Sequence, residues 1–199
     1  MTDIIGIKEA FERWESYIKP AVIAQYGEND RPAMSESWND FTDALCRDGE
    51  LTGLQYHYCP AFDEPMPDCD HEFILENMGV SFSAMKIAER PDDVGEWASD
   101  ASHYHVMFRR GKNELESYFS MGSAHIGAPQ MAAVFHCLLM DSDGIEYNDF
   151  ESWAADYGFD TDSRKAERVF NACQKTLLDL KRLFTASELE ELRELFHNY

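Results

Sequence analysis

The sequence has no apolar run long enough to cross a bilayer. Its longest, such as Met131–Val134 and Cys137–Met140, fall far short of the roughly 20 residues that a helical span requires. The first residues, Met1-Thr2-Asp3, show neither the basic start nor the apolar stretch of a secretory leader. Export is therefore not expected, and the expected location is the cytoplasm of a host cell. Cysteine is scarce for a disulfide scaffold. Cys46, Cys59, Cys69, Cys137 and Cys173 are odd in number and widely spaced, a pattern that reads as reduced, mostly buried thiols. Phosphate-cradling loops are missing: neither G-x-x-x-x-G-K-[ST] nor G-x-G-x-x-G occurs. The nucleophile elbow G-x-S-x-G is also missing. Ser123 and His125 stand two residues apart, a spacing that seldom lets one act on the other.

Basic residues are the most telling shortage. There are 17 Lys and Arg against 38 Asp and Glu, a formal net charge of −21. The excess is not uniform. Residues 1–27 and 163–199 are nearly balanced, at −1 and +1, whereas residues 28–100 carry −14 and residues 101–162 carry −7. Such a surface repels itself at a cost in stability. It also repels phosphates, so neither nucleic acid nor an anionic membrane is an expected direct partner. With so many carboxylates, no pair stands out for acid–base work. No catalytic residue, no cofactor and no enzymatic activity are assigned.

What is present is apolar material for a core: 44% hydrophobic residues, 13% of the chain aromatic. Ile4, Ile7, Phe11, Trp14, Ile18, Val22 and Tyr26 recur at helical spacing, with Pro20 kinking or dividing the helix. After a turn over 27–32, Ser35 can cap a helix that turns Trp38, Phe41 and Leu45 inward. Residues 54–58 alternate like a short strand. The segment 59–68 holds three prolines and reads as an irregular loop, followed by one or two helical turns over 71–78. A strand is expected from Val80 and a hairpin around 109–113, its arms containing His103–Phe108 and Leu115–Met121. Helices are expected over 129–140, 149–157, 162–184 and from the capping box Thr185-Ala186-Ser187-Glu188 onward. Strands grouped together with helices around them indicate an α+β fold, with a small antiparallel sheet of about three strands packed with several helices. Residues 1–75 read as a mainly helical region with a proline-rich loop and 76–199 as an α+β region, separate or continuous.

Two metal-binding patterns come up for test. Cys59, Cys69 and His71 lie near one another beside Asp68 and Asp70, but in a C-x₉-C-x-H spacing rather than the close pair that zinc sites favour. His103 and His105 share one strand face. Asp141-Ser142-Asp143-Gly144-Ile145-Glu146 begins like a calcium loop. It has Ile at its fifth position and its glycine one place early, so it reads as an acidic turn. No metal is expected there.

The acidic surface is the remaining feature. Asp92, Asp93, Glu96 and Asp100 form one cluster. Asp141, Asp143, Glu146, Asp149, Glu151, Asp156, Asp160 and Asp162 form a longer series, interleaved with Tyr147, Phe150, Trp153 and Tyr157. Asp149, Asp156 and Asp160 step at helical spacing and would line one ridge. Duplex DNA carries about one charge per 1.7 Å of axis, so 21 charges correspond to about 36 Å of duplex, roughly one turn. These twelve acids are the candidate partner-binding residues.

The stretch from Tyr104 to Phe184 resembles an uncharacterised family of phage and prophage accessory proteins. The matching runs are Tyr118-Phe119-Ser120-Met121-Gly122-Ser123-Ala124-His125, Phe150-Glu151-Ser152-Trp153 and 156–167, from Asp156-Tyr157-Gly158-Phe159 through Ala166-Glu167. The resemblance implies an accessory protein of a mobile element and no particular chemistry. In size and acidity the chain is also similar to antirestriction and anti-CRISPR proteins that imitate DNA. Together these give the expectation of a non-enzymatic inhibitor of a host DNA-binding defence complex. The alternatives are an adaptor that uses a mixed apolar surface, or a metal-binding protein. A homodimer would double the acidic surface.

Overall fold

The computed structural model describes residues 3–88, 101–122, 127–143 and 149–197. Among these, nine helices and one three-stranded antiparallel sheet give an α+β fold. The chain divides into two compact units: Met1–Met78 with Glu190–Tyr199, and Gly79–Leu189.

The first unit is helical. α1 (Ile7–Tyr17) and α2 (Lys19–Tyr26) are separated at Ile18. Pro20 sits in the first turn of α2, where its missing N–H costs nothing. The break resets the helical phase, so Tyr26 lies outside the apolar stripe that begins at Ile4, and is 55% exposed. α3 (Arg31–Arg47) starts four residues before the expected cap. Asp30, not Ser35, caps it, accepting from the Ala33 N–H at 3.0 Å, and Pro32 belongs to its first turn. Residues 54–58 are not a strand. They lie in α4 (Gly53–Tyr58), started by a reciprocal capping box: Gln55 N–H donates to Thr52 Oγ1 and Thr52 N–H to Gln55 Oε1. α5 (Asp70–Asn77) follows the proline-rich loop. Trp14 and Trp38 anchor the core, with Phe11, Phe41 and Phe62 packed edge-on or tilted around them. Each indole has a partner: Trp14 donates to Ser37 Oγ and Trp38 to the Pro60 carbonyl, as buried indoles require.

One carboxylate joins three parts of this unit. Gly6 gives α1 no side-chain cap. Asp70, 63 residues away and buried, accepts from the Ile7 N–H at 2.8 Å and from Gln55 Nε2 at 2.8 Å. Gln55 Nε2 also donates to the Ile5 carbonyl. Asp70 is thus a long-range cap for α1.

The second unit is built on the sheet β1 (Val80–Ile87), β2 (Ala101–Arg110) and β3 (Asn113–Gly122), in the order β1-β2-β3. Arg110 pairs with Asn113, leaving Gly111 and Lys112 as the connection. Gly111 takes φ 60°, the conformation that so short a hairpin loop demands. Alternation gives the sheet two faces. Tyr104, Val106, Phe108 and Leu115 are buried. Phe108 meets Phe135 of α6 (Met131–Asp143), which meets Phe184 after α8 (Arg164–Leu183). α7 (Phe150–Asp156) packs on α8 through Trp153, Ala154, Ala166 and Phe170. α9 (Ala186–Phe196) opens with the expected box: Thr185 N–H donates to Glu188 Oε2 and Glu188 N–H to Thr185 Oγ1.

Candidate acidic interface

Trp153 fixes the acidic segment of the second unit. It is 4% exposed, stacks on Phe159 with ring centroids 4.9 Å apart and planes 9° from parallel, and stacks on Tyr157 at 5.6 Å. Its ring and Phe170 hold α7 and the turn after it against α8. Around this buried centre Asp149, Glu151, Asp156, Asp160 and Asp162 are all exposed, and Tyr157 and Phe159 remain 53% and 44% exposed beside them. Between Asp141 and Ser163 the chain has eight acids and no Lys or Arg.

The acids do not form the helical ridge that their spacing suggests. α7 ends at Asp156, so Asp160 lies in the following turn, where Oδ1 accepts from the Asp162 N–H at 3.0 Å. Asp149 is the N-cap of α7. Its carboxylate accepts from the Ser152 N–H at 2.8 Å and the Ser152 hydroxyl at 3.1 Å, and these bonds hold its pKa below the usual value. Asp141 is exposed as a residue in the last turn of α6, yet protein atoms crowded around its carboxyl raise its pKa. Asp92, Asp93, Glu96, Asp100 and Glu146, the Asp143 side chain, Tyr147, and Ser123 with His125 lie outside the described residues.

The metal-ligand candidates do not assemble. Among the described residues no group of three or more His, Cys, Asp or Glu could hold a metal. Cys59 belongs to the aromatic core of the first unit, where burial pushes its thiol up to about 12. Cys69, Asp68, Asp70 and His71 line a cleft of about 310 Å³. The polar groups of Asp68, Asp70 and His71 bond within the fold. Asp68 pairs with Lys8 at 2.6 Å, Asp70 caps α1, and His71 Nε2 lies 3.2 Å from the Leu195 carbonyl. His103 and His105 do share the outer sheet face, but His103 Nδ1 meets Ser120 Oγ and His105 Nε2 meets Glu116 at 2.6 Å.

Two features of the charge are visible only in the fold. The first unit has 20 acids against 6 bases, a net of −14, and the second 18 against 11, a net of −7. Lys8, Arg13, Lys19, Arg31 and Arg47 of the first unit are each held in an ion pair with a carboxylate. The more acidic unit therefore contributes acids absent from the candidate series, including exposed Glu9, Glu12, Glu15, Glu36 and Asp40. In the second unit, six bases lie between Arg164 and Arg182 on one helix. Over 163–199 they are offset by Glu167 and Asp179 of α8 itself and by the four acids of α9. No helix among the described residues is long and apolar enough to cross a membrane. No family model, curated protein or solved structure matches this chain.

Proposed function

We propose that this chain is a non-enzymatic inhibitor carried by a phage or other mobile element. It binds a host defence complex that itself binds DNA, such as a CRISPR surveillance complex or a restriction enzyme. Its carboxylates occupy places where that target takes up phosphates. The observation that carries this reading is the base-free segment 141–163, whose exposed acids Asp149, Glu151, Asp156, Asp160 and Asp162 surround a buried Trp153. Opposite charges on target and inhibitor would steer encounter and make binding salt-sensitive. The resemblance of 104–184 to phage and prophage accessory proteins points to the same setting. The test is a DNA-cleavage assay of such a nuclease with the purified protein added. The reading expects inhibition that excess duplex DNA relieves. It also expects Asp156→Lys/Asp160→Lys/Asp162→Lys to inhibit at least about tenfold more weakly, since the triple change reverses three charges. Equal inhibition by the reversed variant would refute it.

A second reading, an adaptor with a mixed apolar contact, is favoured by the outer sheet face. There Met85, His105 and Tyr118 lie side by side across the three strands, with Met85 62% and Tyr118 37% exposed. It expects binding that survives high salt and the acid reversals but is lost in Met85→Glu.

A further inference from the structure

The solvent face of α8 opposes the sign of the rest of the protein. Arg164, Arg168, Lys175 and Arg182 fall within about 40° of arc on the helix and span about 27 Å of its length. Asn171 and Leu178 lie on the same stripe, and Leu178 is 56% exposed. The buried side of α8, carrying Ala166, Phe170, Leu177 and Leu180, is opposite. Lys175 and Arg182 share the buried Asp179, at 3.3 and 2.9 Å. Arg164, Arg168 and Lys181 make no ion pair among the described residues. Two exposed, unneutralised guanidiniums on this stripe, Arg164 and Arg168, in a chain with net charge −21 call for an anionic neighbour.

We propose that the solvent face of α8 docks the acidic segment 149–162 of a second copy of this chain, in a two-fold pair. The complementarity lies within one unit. The segment supplies five exposed carboxylates and no base, and the exposed rings of Tyr157 and Phe159 offer faces to guanidinium groups. α8 supplies the guanidiniums and the exposed Leu178. One copy does not satisfy itself, because α7 packs against the side of α8 that carries Ala166 and Phe170. A two-fold axis makes the contact twice, α8 of each copy on the segment of the other, and closes the assembly. Nucleic acid fits the stripe less well. The unit around it carries −7 and the chain −21, and a long polyanion must run past all of it. The dimer goes beyond the inhibitor reading and adds regulation to it. The same acids serve either the second copy or the target, so the two contacts exclude each other.

The test pairs two variants of the full chain, Arg164→Glu/Arg168→Glu and Asp156→Lys/Asp160→Lys, in sedimentation equilibrium at about 0.15 M salt, where the Debye length of about 8 Å leaves only local contacts. Circular dichroism checks that each variant folds. The wild type is expected to dimerise with rising concentration. Each variant alone is expected to dimerise at least about tenfold more weakly, because like charges then face each other. An equimolar mixture of the two restores dimers, because both contacts are again of opposite sign. A wild type that stays monomeric, variants that dimerise as it does, or a mixture that fails to associate would each overturn the proposal. The arginine variant keeps every candidate target-binding acid. Its inhibition of a nuclease therefore reports on the inhibitor reading separately from the dimer.

Discussion

Asp70 shows how far one side chain reaches in this fold. It caps α1 from 63 residues away and ties Gln55, itself half of the α4 capping box, to the start of the chain. Asp70→Ala leaves the buried Ile7 N–H and one N–H of the Gln55 amide without their acceptor. The expected loss is about 2–3 kcal/mol, read as a lower urea midpoint with an unchanged slope. No sequence pattern announces a cap supplied by a remote acid; in the sequence Asp70 only stands beside a Cys/His cluster whose spacing does not match a zinc site. Glu188 is a second case. Arg110 grips it through two bonds, 2.9 and 3.0 Å, and lowers its pKa to about 2. A carboxylate with a depressed folded pKa stabilises the fold above its unfolded value, near 4.3, and loses that contribution as pH falls toward 2. Thermal melts of wild type and Glu188→Gln should therefore differ at pH 6 and converge between about pH 4 and pH 2. Cys59, with its thiol raised to about 12 by burial, should resist alkylation at pH 8 in the native protein and react on unfolding. Rapid native labelling at Cys59 would contradict its place in the core.

At the scale of elements, most helices were legible because their apolar residues recur at 3.6 and their starts carry caps. Trp38 and Leu45 of α3, Val134, Phe135 and Leu138 of α6, and Phe170, Leu177 and Leu180 of α8 are all buried as the spacing indicates. The sheet was legible from alternation, with Tyr104, Val106 and Phe108 turned inward. The failures have local causes. In 54–58, Tyr56 and Tyr58 alternate with Gln and His, and alternation over five residues is weak beside the box Thr52-x-x-Gln55 that starts the helix. The acids form no ridge because α7 stops at Asp156, before the helical spacing reaches Asp160. What positions the acids is Trp153, through packing that no spacing displays. Trp153→Ala should cost about 3–5 kcal/mol, measured by chemical unfolding, and should weaken target binding without changing any charge.

For the whole molecule, the sequence gives the size of the charge and the fold gives its distribution. Two thirds of the net charge belongs to the first unit, whereas the second opposes an acidic segment to a basic helix. Lysines at exposed acids relieve self-repulsion rather than create it. Asp156→Lys/Asp160→Lys/Asp162→Lys gives up the Asp160–Asp162 turn bond in exchange, so it should fold with stability near the wild type while losing its partner. That separation of stability from binding makes the decisive measurement possible. Immobilised wild type and the triple variant are exposed to host lysate at low salt and eluted with a salt gradient, and retained proteins are identified. The account predicts that the wild type alone retains a DNA-binding defence protein, which leaves at moderate salt and is displaced by duplex DNA. Retention of the same partner by both forms, persistence at high salt, or retention of no DNA-binding protein would contradict it.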